Sequence, residues 1–233
     1  MQAMRKKILL VFISILIFLD VFLITFNNSY NNSHKKSPIR SIYRIIKPIY
    51  PILIGILYLV ITPIIEIKPI IFCILCAAGD LILMYDNIIC LLIGGSCFLV
   101  SHILMIIRLW PKWNYIQFYS YALMIPPIAL FICFLYFSCK ELDFINGLIF
   151  ALYFLVALVA QFITLFRSYP WYSPTYILCS LGYFFFLISD YILLYGYTFN
   201  NSLDYMVEIM LTYIIALILI IIGVSLEPSL KQK

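Results

Sequence analysis

The chain has 233 residues, of which 65% are hydrophobic and only 11% charged. Soluble globular domains carry about 25% charged residues, so this chain cannot cover a folded surface with water-compatible side chains, and lipid must act as its outer solvent. The formal net charge of +5 is spread over loops and ends, which excludes a nucleic-acid footprint and suits contact with lipid headgroups.

A helix needs about 20 predominantly apolar residues to cross a bilayer, and eight stretches qualify or come close. Ile8 to Phe26 carries one charge, Asp20, and follows Arg5, Lys6 and Lys7. No small-residue cleavage site comes after it and it is long for a signal-peptide core, so it is expected to be retained. A polar, basic loop over 27–47 separates it from the second span, Pro48 to Ile65. Pro69 to Tyr85 carries only Asp80, and Asn87 to Ile107 carries only His102. Trp113 to Cys139 is uncharged but holds Pro126-Pro127, which should kink it. Phe144 to Phe166, Ser168 to Ser189 (followed by Asp190) and Ile209 to Leu226 complete the set. The expected fold is all-α: a multi-pass bundle of about eight transmembrane helices forming one domain over 1–233. The membrane it occupies, endomembrane or plasma membrane, is not written in the chain.

Lys and Arg in short loops set orientation. With the N-terminus inside, Arg5, Lys6, Lys7, Lys68, Arg108, Lys112, Arg167, Lys231 and Lys233 lie inside, whereas the later outside loops hold only Lys140. The first loop disagrees, with Lys35, Lys36, Arg40, Arg44 and Lys47, although its two Asn-x-Ser sequons at Asn27 and Asn31 agree with an outside placement. The seven cysteines fall mostly within apolar runs. Cys73 and Cys76 form a CxxC with no second pair or His at ligand spacing, and they read as core thiols. Neither a metal nor a cofactor is expected.

Function is written in the polar groups left inside the spans, because an ionisable group at membrane depth is costly and faces the protein interior. Parity places the start of span two and the ends of spans three and seven on one side of the membrane. Asp80 lies six residues before Asp86, and Asp190 six before Gly196, so both carboxylates should lie about 9 Å below that surface. Lys47 enters from the same surface. His102 fits less well, fifteen residues after Asn87 and about 22 Å down an ideal helix. Gly95, Phe98 and His102 share a helix face, as do Gly182, Phe186 and Asp190, and glycine lets membrane helices approach closely. Asp20 and Glu208 read as structural. Bland readings exist for the rest: Asp80 paired with Lys47, Asp190 bonded to nearby hydroxyls, Lys47 snorkelling to headgroups.

The order Lys47-Pro48, Gly79-Asp80, Gly95 to Ser101-His102, then a Gly182-containing span ending in Ser189-Asp190, resembles the YhhN-like lysoplasmalogenase family from Arg44 to the C-terminus. One departure stands out: that family tends to carry a polar Gln or His after the Tyr of its last span, whereas Tyr213 is followed by Ile214, Ile215, Ala216 and Leu217. The resemblance implies a membrane-embedded hydrolase that cleaves the vinyl ether bond of a lysoplasmalogen, releasing a fatty aldehyde and glycerophosphoethanolamine or glycerophosphocholine. Its partners would be the lysophospholipid substrate and membrane lipids.

Vinyl ether hydrolysis begins with protonation of an alkene carbon, so it needs one carboxylic acid that still holds its proton and one carboxylate to balance the cation or activate water. Two buried acids can divide those roles, which makes Asp80 and Asp190 the catalytic candidates. Lys47, His102 and Tyr183 are the substrate-binding candidates, Lys47 for the phosphate, with the alkenyl chain expected among Phe184 and Phe185. An intramembrane aspartyl protease also uses two buried Asp residues, but Ala77 stands where the first Gly of its Gly-x-Gly-Asp would be. A transporter or a membrane scaffold is the non-enzyme alternative, and no internal repeat is evident.

Overall fold

A computed structural model describes residues 46–85, 87–110, 118–142, 144–166, 173–198 and 206–231. Among the described residues there are seven α-helices and no strand: α1 (Ile49–Ile61), α2 (Ile67–Ile82), α3 (Ile88–Leu109), α4 (Phe118–Glu141), α5 (Phe144–Leu165), α6 (Pro174–Thr198) and α7 (Met206–Lys231). They correspond to the second to eighth expected spans. The first span with Asp20, and the basic loop up to residue 45, lie outside the described residues. Five helices, α3 to α7, are long and apolar enough to cross a bilayer, and the chain is an all-helical membrane protein.

Local chemistry explains the helix ends. α1 has only 13 residues, about 20 Å, because Pro63 follows Thr62. A residue before proline is pushed out of the helical region, and Thr62 adopts φ −83, ψ 129 while its N–H still bonds the Tyr58 carbonyl. Pro69 falls in the first turn of α2, where a missing donor costs nothing. Asn87 caps α3 by accepting from the Ile89 amide at 3.1 Å. α4 runs on through Pro126-Pro127 as one helix. α6 is longer than the sequence reading expects. It continues past Asp190 to Thr198, which puts that carboxylate eight residues inside the helix, or about 12 Å from its end.

The chain alternates direction, so two faces can be named by their marker residues. The Lys47 face holds the start of α1, the end of α2 and the starts of α3, α5 and α7. The Arg108 face holds the opposite ends. The core between them is aromatic and aliphatic: Tyr50, Ile54, Phe72, Met105, Tyr183, Phe186 and Leu217 are all buried. Ile52, Ile74, Ile93, Ile125, Ile132 and Leu152 point outward, the reverse of a soluble fold and the pattern lipid permits.

The tightest helix pair is α6 on α7, and glycine permits it. A Cβ on Gly182 would lie 2.7 Å from Ile220 Cγ1, 2.9 Å from its backbone N and 3.0 Å from the Ala216 carbonyl oxygen. Backbone cannot yield as a flexible side chain can, so Gly182→Ala is expected to destabilise by about 2 kcal/mol. Gly95→Ala serves as the control, because nothing lies within 4 Å of its added Cβ. Thermal midpoints in detergent, read by fluorescence size-exclusion, check the pair: the first variant should fall and the second should not.

Candidate functional site

Asp80 lies near the end of α2 and is 1% exposed. It reaches the bundle interior because α2 and α3 cross closely, with a Cβ on Gly79 or on Gly94 meeting the other residue's carbonyl oxygen at 3.1 Å. Gly94 makes this approach, whereas Gly95, expected to do so, faces open space. Lys47 Nζ lies 3.1 Å from Asp80 Oδ1 and 5.8 Å from the centroid of the Tyr213 ring. The Tyr213 hydroxyl donates to Asp80 Oδ2 at 2.8 Å. Asp80 is therefore a buried carboxylate tied to one cation and one phenol from two other helical segments.

Asp190, on α6, belongs to a second group. The Tyr153 hydroxyl on α5 donates to its Oδ2 at 2.7 Å, and His102 Nε2 on α3 lies 3.9 Å from the same oxygen. His102 is fully buried, and neither ring nitrogen has a hydrogen-bond partner. Its ring is packed by Phe186 at 4.7 Å, Tyr183 at 5.9 Å and Tyr153 at 6.0 Å between centroids. The ideal-helix depth of His102 suggested a mismatch with the acids. The two extra residues of α6 recover only about 3 Å of that difference, yet His102 Nε2 and Asp190 Oδ2 come within 3.9 Å, so depth counted along ideal helices did not predict the contact.

Phe186 and Phe98 stand between the two groups. Phe186 packs on His102 and, at 5.6 Å, on Tyr213, while Phe98 packs on both Phe186 and Tyr213. Each carboxylate is held by its own phenol, Asp80 Oδ2 by Tyr213 and Asp190 Oδ2 by Tyr153. A small cavity of about 30 Å³ borders Asp190 and Tyr153, walled by Gly95, Phe98, Phe150, Leu91 and Leu193. That volume suits a single water.

Of the five residues singled out in the sequence, Lys47 meets Asp80, His102 lies near Asp190, and Tyr183 packs on the His102 ring at 5.9 Å between centroids. Phe184, expected along a substrate chain, instead lines a different groove between α4, α5 and α6. Tyr153 and Tyr213, the phenols that hold the two acids, were not singled out. Their signal was present, since Tyr normally gathers at membrane interfaces and both stand seven or more residues inside their helices. Cys73 and Cys76 are buried free thiols, and Cys76 Sγ lies 3.7 Å from Ser101 Oγ. Among the described residues no three His, Cys, Asp or Glu side chains gather as metal ligands.

A further polar cluster was missed. Arg108, counted as a loop charge in the sequence, ends α3 with its side chain only 6% exposed. Its guanidinium donates to Glu227 Oε2 at 2.7 Å and to Glu66 Oε1 at 2.9 Å, and Nε also meets Glu66. This clasp lies on the face opposite the acids.

Fold and site together define a multi-pass helical membrane protein with a buried centre of two aspartates, their tyrosines, a lysine and a histidine beneath one face. The YhhN family profile matches residues 43–224, and the chain belongs to that family. No curated protein and no solved structure gives a significant match.

Proposed function

We propose that this protein hydrolyses the vinyl ether bond of a lysoplasmalogen within the membrane. The observation that carries the reading is a pair of buried carboxylates in unlike settings, one tied to a cation and the other bordering a water-sized cavity beside a histidine with two unpartnered nitrogens. Buried polar atoms are nearly always satisfied, so the exceptions invite a functional explanation. The lysoplasmalogenase resemblance described above supplies the substrate class.

The unlike settings divide the labour. Asp80, ion-paired with Lys47, is the fixed carboxylate. Asp190, held by a phenol and facing the cavity, is the proton carrier. In the protonated form, Asp190 delivers its proton to the alkene carbon distal to the ether oxygen. The C=C electron pair forms the new C–H bond, and the oxygen lone pair gives an oxocarbenium ion balanced by the Asp80 charge. Water adds to the cationic carbon and returns a proton to Asp190, forming a hemiacetal. Collapse turns the hemiacetal hydroxyl into the aldehyde carbonyl and breaks the bond to the glycerol oxygen; the hydroxyl gives up its proton as that oxygen takes one up, and Asp190 is left protonated for the next turnover. His102, 3.9 Å from Asp190 Oδ2, relays that proton from the hemiacetal hydroxyl to the glycerol oxygen. The alkenyl chain approaches from the lipid past Leu91 and Leu193, and the water-sized cavity beside Asp190 holds the attacking water. Lys47 has three donors and spends one face on Asp80, leaving the others for the substrate phosphate.

The test is purified protein in detergent offered a vinyl-ether lysolipid and its ester analogue. Aldehyde should appear from the first, and the ester should remain intact. Fatty acid release from the ester with no aldehyde from the ether would replace this reading with an acyl hydrolase.

A further inference from the structure

Tyr153 is out of place in α5. It stands nine residues after Phe144, where the helix begins, or about 14 Å along the axis. Tyrosine in membrane proteins gathers instead at the interfaces, where its hydroxyl is wet. The hydroxyl of Tyr153 has one acceptor at that depth, Asp190 Oδ2, at 2.7 Å. Among the described residues no other hydrogen bond reaches the Asp190 carboxyl group. His102 Nε2, 3.9 Å from the same oxygen, is beyond hydrogen-bond range. Tyr153 also packs edge-on against the His102 ring, 6.0 Å between centroids, and lines the small cavity beside Asp190.

This arrangement treats the two carboxyl oxygens unequally. A phenol O–H donates to a lone pair, so Oδ2 is the acceptor, and both the phenol and the imidazole gather on its side. A neutral carboxylic acid has one carbonyl oxygen and one that carries the proton. With Oδ2 held as the acceptor, the proton falls on Oδ1. The same bond changes strength during the reaction. A hydrogen bond to an ionised acceptor is roughly twice as strong as one between neutral groups, so the grip of Tyr153 tightens as Asp190 releases its proton. An interaction that is stronger in the transition state than in the ground state raises kcat and leaves substrate binding alone.

We propose that Tyr153 is a positioning residue that fixes Oδ1 as the proton-bearing oxygen of Asp190 and steadies the carboxylate as the proton leaves. Its kinetic consequence rests on the hydrolase reading, whereas the placement of the proton does not.

The experiment has two arms, both on the full chain in detergent. In the kinetic arm, Tyr153→Phe should lower kcat for aldehyde release about ten-fold, the difference between a neutral hydrogen bond and one to a charged group, with KM unchanged. Added to Asp190→Asn, the same substitution should cost nothing further, because no charge develops on an amide; a purely structural tyrosine would cost the same factor in both backgrounds. The infrared arm needs no turnover. The carbonyl stretch of protonated Asp190, recorded in acid and identified as the band that Asp190→Asn removes, should lie in the hydrogen-bonded range in the native protein. It should move to higher wavenumber in Tyr153→Phe, where the donor on the carbonyl oxygen is lost. A native band in the free range overturns the proposal without any tyrosine variant, as does a band that Tyr153→Phe leaves in place or an equal fold-loss in both backgrounds. Absence of aldehyde from the native protein removes the hydrolase reading instead, and the infrared arm then decides where the proton sits.

Discussion

Asp190→Asn is expected to lower kcat for aldehyde release by about 10²–10⁴-fold, the range that a positioned general acid contributes, with little change in KM or thermal midpoint. The substitution is nearly isosteric. The Asn oxygen still accepts from Tyr153, whose hydroxyl lies 2.7 Å from the native carboxylate, and the transferable proton is all that is lost. Asp80→Asn should behave differently. It removes the negative partner of Lys47, held at 3.1 Å with the carboxylate fully buried, and leaves an ammonium without its counter-ion. Activity and stability should therefore fall together, because truncating one partner of a buried pair strands the other charge. Steady-state kinetics and melting curves on the two variants separate the roles. Aldehyde release by Asp190→Asn within about three-fold of the native rate, far short of that general-acid range, would remove Asp190 from the chemistry.

The second large effect concerns stability and lies on the opposite face. Arg108→Ala should destabilise the protein by about 3–5 kcal/mol, as expected for breaking a buried pair, and lower the thermal midpoint by on the order of 10 °C. Arg108 joins the segment before α2, the end of α3 and the last turns of α7 through Glu66 and Glu227. Its loss takes the guanidinium away from the Glu227 carboxylate, whose side chain is 7% exposed. Arg108→Lys should rescue only part of the loss, since an ammonium lacks the planar fork that spans two carboxylates. Adding Glu227→Gln to Arg108→Ala should recover part of that stability, because a neutral amide costs less to bury beside the lost guanidinium than a carboxylate does. A midpoint for Arg108→Ala unchanged from the native protein would show the clasp to be inert.

The two clusters illustrate what a sequence shows in a membrane protein. Asp80, Asp190 and His102 were legible because each interrupts an apolar run, and lipid makes such interruptions expensive. Lys47 was legible from parity, since α1 begins where α2 ends. Arg108 and Glu227 sit at the ends of their spans, where charges are ordinary, and nothing local distinguishes a buried clasp from loop residues.

Composition and periodicity alone determined that the chain is a helical membrane bundle, where most helices begin and end, and which acids face inward, because those properties follow from the cost of placing polar groups in hydrocarbon and act residue by residue. The tertiary structure decided which phenol holds which carboxylate, that His102 joins Asp190 and Lys47 joins Asp80, that Gly94 rather than Gly95 carries the α2–α3 approach, and that Phe184 faces a separate groove. Each of these depends on the rotation and depth of one helix against another, and a shift of a single residue turns a side chain by about 100°, a difference that linear spacing does not encode.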